Sequence, residues 1–159
     1  MTPKYYPPVS FHFAVEIKSK DKPWKTAIDS KFQSVSGLSV DIEFDEYTEG
    51  GENRFKHKLP TRTRFPNLVL KRGAVIESEL TKWCRAAVED FEFELKDITI
   101  ILLNAAHVPL MTWEVIGAIP VKWSVDEFNA GESKVVTETI ELAYQYFTMK
   151  NVVENASGN

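Results

Sequence analysis

One stretch, residues 32–73, constrains the fold of this chain more than any other. It begins as an alternating strand, Phe32–Phe44, in which Leu38, Val40 and Ile42 point to one side and polar residues to the other. The alternation then stops for about twenty residues, 45–66, which hold a Gly-Gly pair, two prolines and a run of basic side chains. A loop of this length inside a compact domain is usually functional. We predict an arm that needs a neighbouring subunit to become ordered.

The remaining bulk properties fit one domain, residues 1–159, with residues 1–10 as an N-terminal arm and 148–159 as a polar C-terminal tail. The net charge of −4 leaves no overall basic excess and argues against nucleic acid as a groove-bound partner, while a local basic patch stays open. A single cysteine, Cys84, excludes an internal disulfide and favours synthesis in a reducing compartment. No leader pattern or apolar membrane-spanning run is seen, so we expect no membrane insertion by the monomer.

The periodicity predicts a mainly β fold. Residues 78–91 form the one helical pattern, with an apolar stripe at three- and four-residue steps and Ser78 as the N-cap. The other segments read as six or seven antiparallel strands, including a doubly apolar strand at Ile98–Leu103 and a long alternating one at Val135–Phe147, whose apolar face Glu138 interrupts. We expect a β-sandwich or squashed barrel, one helix packed on it, and a long extended loop at 45–66.

No catalytic, cofactor or metal site emerges from the residues. His12, His57 and His107 lie on separate predicted elements without ligand spacing, and Cys84 falls on the apolar helix stripe. Gly50-Gly51 lacks the strand–turn–helix context of a phosphate-binding loop. We therefore expect no enzyme activity and no cofactor.

The basic cluster of the loop allows two interpretations. Its cations are interleaved with Phe55 and Phe65, which is typical of surfaces that stack nucleic-acid bases. Alternatively, the loop meets an acidic surface of a second copy, such as the acid pair Asp45-Glu46, as a head-to-tail ring requires. We favour the interface, and its cationic members are Arg54, Lys56, His57, Lys58, Arg62 and Arg64.

Several short motifs, in this order, carry a family resemblance over residues 5–147. They are VSGL (35–38), EGGEN (49–53), Leu59-Pro60, NLVLKRG (67–73), ILLN (101–104), PVKW (120–123), FNA (128–130) and ELAY (141–144). Together they resemble the tube proteins of contractile phage tails and phage-like injection systems. That family is similar in fold to the haemolysin-coregulated protein of type VI secretion.

The resemblance implies a structural role. It implies a homo-hexameric ring whose strands join into a β-barrel around a lumen, rings stacked into a tube inside a sheath on a baseplate, and cargo or DNA that passes without specific binding. The motifs EGGEN and PVKW resemble those of the tube initiator at the baseplate. The bulk tube protein is the other possibility. The candidate interface residues are Tyr5, Tyr6, Asp45, Glu46, Gly50, Gly51, Asn53, Arg54, Lys56, Lys58, Arg62 and Arg64, and the candidate lumen residues are Asp41, Glu43 and Asp45.

The resemblance also implies a location. Such a subunit is made in the bacterial cytoplasm, assembles into a virion-like particle and leaves when the cell lyses. The alternative function is a monomeric β-barrel that binds a small ligand, with Trp24, Trp113 and Trp123 as candidate pocket residues.

Overall fold

The computed structural model describes residues 12–19, 26–51, 54–74, 78–127, 129–131 and 135–152. Within these ranges the chain forms nine strands and one helix. The elements are β1 (His12–Ser19), β2 (Thr26–Ser36), β3 (Asp41–Tyr47), β4 (His57–Arg64), β5 (Leu68–Gly73), α1 (Glu79–Glu89), β6 (Lys96–Leu103), β7 (Pro109–Val125), β8 (Thr137–Ala143) and β9 (Tyr146–Asn151). The predicted fold class is confirmed, with more strands than the sequence pattern indicated.

Seven strands form one antiparallel sheet in the order β6-β1-β2-β5-β8-β7-β9. The sheet closes on itself because β6 also pairs with β7. Two long strands make the closure possible: the first part of β2 pairs with β1 and its end with β5, while β7 pairs first with β6 and then with β8. The result is a closed barrel, one of the two architectures that the sequence left open, and we call it the barrel.

The barrel interior is a packed apolar core. Its buried side chains come from β1, β2, β5, β6, β7 and β8, and the helix adds Leu80, Trp83 and Cys84 from its apolar stripe. Helix α1 contacts β7 and β2 and covers one side of the barrel. Ser78 caps it as predicted, since its side chain accepts a hydrogen bond from the Thr81 backbone N–H at 3.1 Å.

The structure corrects three boundaries. The predicted strand Phe32–Phe44 is two strands, because β2 ends at Ser36 and Gly37 turns the chain at φ +93°. The predicted long loop 45–66 is mostly a β-hairpin, formed by β3 and β4. Residues 148–151 of the predicted tail continue β9. The N-terminal arm 1–10 and the rest of the tail beyond Val152 lie outside the described residues.

Candidate functional site

The most distinctive surface of the molecule is the hairpin of β3 and β4, which forms a separate two-stranded sheet. We call residues 41–64 the arm. The strands pair from Asp41 opposite Arg64 to Tyr47 opposite His57, with an irregularity between Glu43 and Phe44. An isolated two-stranded sheet is marginally stable in water. The arm therefore has the character of a segment that is completed by a partner.

The strand register assigns the arm two different faces. On one face, which we call the apolar face, Ile42 and Phe44 lie opposite Thr63 and Pro60. The side chains of Ile42 and Phe44 remain 54% and 50% exposed. The sequence predicted only that these apolar side chains point to one side of a strand, and the structure leaves that side uncovered within the described part of the chain.

The other face, which we call the charged face, holds all three candidate lumen residues, Asp41, Glu43 and Asp45. Arg62 donates a hydrogen bond from Nε to Glu43 Oε2, and the hydrogen bond and charge of Glu43 raise the pKa of the Arg62 guanidinium. Asp41 and Arg64 are opposite each other in the register. These three carboxylates are on the arm, not on the sheet of the barrel.

Several basic residues of the arm already have partners within it. Besides Arg62, Lys56 Nζ lies 3.5 Å from Glu46 Oε2 and His57 Nε2 lies 3.6 Å from Glu49 Oε2. The side chain of Lys58, opposite Glu46 in the register, makes no ion pair or hydrogen bond to the described residues. The predicted cationic surface is thus partly neutralised by the acidic strand beside it.

Two further candidates form the end of the arm. Gly50 and Gly51 lie in its turn, where Gly51 adopts φ +102° and no atom of the described residues lies within 4 Å of an added Cβ at either glycine. Beside the turn, the rings of Tyr47 and His57 stack at 4.9 Å between centroids, and Phe55 meets His57 edge-on at 5.1 Å. Three other candidates, Tyr5, Tyr6 and Asn53, lie outside the described residues.

The base of the arm is fixed to the barrel by an aromatic cluster. Phe65 packs against Tyr144 and Phe147 at centroid distances of 5.9 and 5.6 Å. The Tyr144 hydroxyl donates a hydrogen bond to the Gly37 carbonyl at 2.9 Å, and burial raises the pKa of Tyr144. The ring of Phe65 is therefore packed against the barrel. It is one of the two rings that the nucleic-acid interpretation assigned to base stacking, and that interpretation loses support.

The sequence analysis missed a buried ion pair inside the barrel. Arg72 Nε donates to Glu138 Oε1 at 2.5 Å, and both side chains are almost fully buried. Arg72 also donates to the Ser78 and Thr81 hydroxyls at 2.6 and 3.0 Å, and Trp123 Nε1 donates to Glu138 Oε2 at 3.1 Å. The available signal was Glu138 itself, the one charge on the apolar face of its strand.

The described residues contain no cluster of three or more possible metal ligands. His12 and His107, which the sequence placed on separate elements, stack at 4.9 Å between ring centroids. Burial raises the pKa of the Cys84 thiol to about 12, as expected for the predicted core position. A depression of about 590 Å³ lies beside the arm and is lined by Glu43, Phe44, Asp45, Thr61 and Arg62.

The ligand-binding alternative requires an enclosed pocket lined by tryptophans. Trp113 and Trp123 instead pack against the barrel core, where Trp123 also bonds Glu138, and Trp24 lies outside the described residues. No helix within the described ranges is long and apolar enough to cross a membrane. The structure gives the ligand-binding alternative no support.

Comparison with known proteins decides the family. The family model described as T4-like virus tail tube protein gp19 matches residues 9–148. The chain belongs to this tail tube family. The family assignment made from the short motifs is thereby confirmed. No curated protein matches the chain significantly.

Solved structures with a similar fold include chains of a prophage baseplate, an extracellular contractile injection system and Hcp1. A chain of the anti-feeding prophage (AFP) baseplate, 6-fold symmetrised, is 33% identical at a TM-score of 0.84, covering 92% of this chain and 97% of that one. A chain of the PVC extracellular contractile injection system, sheath-tube complex in the extended state, is 29% identical at a TM-score of 0.75, covering 94% and 95%. Hcp1 from Salmonella typhimurium shares the fold at a TM-score of 0.53 and 15% identity, covering 91% and 89%.

Proposed function

We propose that this chain forms hexameric rings of the inner tube of a contractile injection system, within a sheath and at a baseplate. The observation that carries the proposal is the arm: an uncovered apolar face on a two-stranded sheet, in a chain of the tail tube family. Its function is structural, and we propose no enzyme activity. The 6-fold symmetrised AFP baseplate chain supports the number of copies in a ring.

Open strand edges support assembly into a ring. In the described chain, β9 pairs only with β7, and β3 and β4 pair only with each other. Exposed edges of this kind invite pairing with another chain, and closing them around a ring removes them. We propose that neighbouring copies join at these edges and at the interface candidates of the arm, with Tyr5, Tyr6 and Asn53 contributing as well.

We propose that the charged face of the arm looks into the lumen. Asp41, Glu43 and Asp45 share this face, and a repeated acidic surface disfavours adhesion of DNA or acidic cargo during passage. We further propose that the chain is the tube initiator at the baseplate, which the higher identity to the AFP baseplate chain than to the PVC sheath-tube chain supports.

We also propose where the chain is made and what it assembles with. The chain is one domain, is made in the bacterial cytoplasm, and becomes part of a particle released by lysis. Its partners are other copies, the sheath and the baseplate.

Negative-stain electron microscopy of the purified chain, with light scattering for mass, tests the proposal. We expect six-membered rings; rings that stack only when baseplate partners are added indicate an initiator, and tubes formed without them indicate the bulk tube. A compact monomer at high concentration, with no incorporation into a particle lacking this subunit, would refute the assembly role.

A charge-reversal variant locates the interface. Replacing Arg54, Lys56 and Lys58 with glutamate should abolish rings and leave the folded monomer intact. The matched control reverses Lys18, Lys71 and Lys122, which are exposed on barrel strands, and so changes the net charge equally. Rings from the first variant would contradict the arm interface.

A further inference from the structure

A second uncovered apolar surface lies at the end of helix α1. Val88, Phe91, Phe93 and Leu95 are all exposed there, and we call these four residues the aromatic patch. Phe91 is 81% exposed, and its ring meets that of Phe93 edge-on at 4.9 Å between centroids. A pair of exposed phenylalanines on one surface marks a contact site better than apolar residues scattered singly.

The backbone at Phe91 is unfavourable for the residue it carries. Phe91 follows the helix C-cap and adopts φ +54°, the left-handed conformation in which glycine is usual. The turn is fixed, since the Glu92 N–H donates to the Ala86 carbonyl at 3.0 Å. A strained, exposed aromatic side chain contributes nothing evident to the monomer, which favours a role in contact.

The patch is strongly acidic. Residues 88–95 read VEDFEFEL, with four carboxylates and no cation. Glu89 pairs with Arg85 at 3.2 Å and Glu94 lies 3.7 Å from Lys96, whereas the side-chain carboxylates of Asp90 and Glu92 make no hydrogen bond or ion pair with the described residues. A partner surface must therefore be apolar at its centre and basic at its border.

The apolar face of the arm has this chemistry. Ile42 and Phe44 are exposed at its centre, and Lys58 on the same face has no partner among the described residues. The adjacent Lys56 offsets Glu46, so one positive charge remains in excess. The charged face carries Asp41, Glu43 and Asp45 against Arg62 and Arg64, which leaves one negative charge in excess, so charge favours the apolar face of the arm as the partner of the patch.

We propose that the aromatic patch of one copy binds the apolar face of the arm of a second copy. The contact is head-to-tail, because two different surfaces of the same chain meet. This contact presupposes the proposed assembly into rings. Its addition is that the aromatic patch is the surface to which the arm of a neighbouring copy binds. It also leaves the charged face of the arm turned away from the neighbour.

The first test separates assembly from folding at Phe91. Replacing Phe91 with glycine relieves the left-handed strain, so we expect an equal or higher melting temperature together with loss of rings in electron microscopy. Phe91→Tyr, which keeps the ring, and Val135→Ser, which removes a different exposed apolar side chain, should both assemble. Normal rings from Phe91→Gly would overturn the proposal.

The second test uses complementary charge reversals in the full chain. One variant carries Asp90→Lys and Glu92→Lys, and the other carries Lys56→Glu and Lys58→Glu. Each alone should stay monomeric, because patch and arm then have like charge. Mixed in equal amounts they should form rings, since each patch then meets an arm of opposite charge.

The outcomes distinguish this contact from the assembly role itself. Restoration on mixing supports the contact and also shows that the reversed arms are folded. Wild-type rings with no effect of the patch reversal, or no restoration on mixing, overturn the contact while leaving the assembly role standing. If the arm variant forms no rings while the patch variant forms normal rings, the arm binds a different surface. Absence of wild-type rings would instead count against the assembly role.

Discussion

Two arginine–carboxylate pairs join neighbouring strands in this chain, and they lie in opposite surroundings. Glu43 and Arg62 pair across the arm, with side chains 35% and 78% exposed. Arg72 and Glu138 pair across β5 and β8, with side chains 1% and 2% exposed. In both cases the strand register places the two residues directly opposite each other. The same type of ion pair is therefore exposed at the surface of the arm and buried in the core of the barrel.

The difference shows what each region depends on. Water can replace the partner of an exposed charge, so an exposed pair adds little to stability. A buried charge has no such substitute, and removing its partner is costly. The barrel is thus held by its own contacts, whereas the arm has few contacts of its own and presents apolar and charged groups to a partner.

The largest effect is expected on removing the buried carboxylate. Glu138→Ala should lower the free energy of unfolding by about 3–5 kcal/mol, because it removes the buried carboxylate that faces the charge of Arg72. The matched change in the arm, Glu43→Ala, should leave the stability of the monomer unchanged. Urea denaturation followed by fluorescence measures both, and similar losses from the two variants would erase the contrast between the regions.

A smaller effect is expected at the junction between barrel and arm. An added Cβ at Gly37 would lie 2.0 Å from the Asn67 carbonyl oxygen, at φ +93°. Gly37→Ala should therefore destabilise the chain by about 1–3 kcal/mol, the usual range for forced overpacking. Gly50→Ala in the turn of the arm is the control, because no atom lies within 4 Å of the added carbon. Equal melting temperatures for the two variants would contradict the observed close approach.

A still smaller effect is expected from the hydroxyl that ties the two regions together. Tyr144→Phe removes only the hydrogen bond to the Gly37 carbonyl and should cost about 0.5–1.5 kcal/mol. Tyr47→Phe, in the exposed ring stack of the arm, should cost less. Hydrogen exchange of the arm amides should rise in Tyr144→Phe, and unchanged exchange would show that Phe65 alone fixes the base of the arm.

Thiol labelling compares the two regions with little effect on stability. At pH 8, Cys84 should resist iodoacetamide in the folded chain, because burial raises its pKa to about 12. A cysteine introduced by Leu59→Cys in the arm should react at once in the monomer. Mass spectrometry counts the labels, and equally fast labelling of Cys84 in the native state would disprove its burial.

The same thiol gives a pH dependence of defined sign. The folded pKa is raised above the ordinary value of 9.0, so the neutral thiol is favoured in the folded state. Its contribution is fully present below pH 9 and declines as the pH rises towards about 12. The loss of stability in that range should be smaller in Cys84→Ser than in the wild type.

Much of the barrel was predictable from local pattern. The apolar stripe of α1 with its Ser78 cap and the doubly apolar strand at Ile98–Leu103 each appear in the structure where the sequence placed them. These signals work because side-chain period is a local property of helices and strands. The motif order likewise identified the tail tube family, which the family model confirms over residues 9–148.

The candidate site was predicted in part. Length and charge singled out residues 45–66 as the unusual segment, but its strands were missed, because Pro60 and the register irregularity interrupt the alternation that a strand usually shows. The sequence placed Val88 and Phe91 on the apolar stripe of the helix, and this was wrong for both, since they are 60% and 81% exposed. Helical periodicity shows which residues share an apolar stripe. It does not show how far along the helix the barrel covers that stripe.

The sequence by itself determined the helix, several strands of the barrel, the fold class and the family, since these follow from local periodicity and from residues in a fixed order. Only the tertiary structure decided which charged and apolar side chains are buried and which residues they contact. It buried Glu138 against Arg72 and left Ile42 and Phe44 uncovered, although Glu138 is charged and the other two are apolar. The physical reason is that burial depends on strand pairing between residues far apart in the chain, such as β5 with β8, which local pattern does not encode.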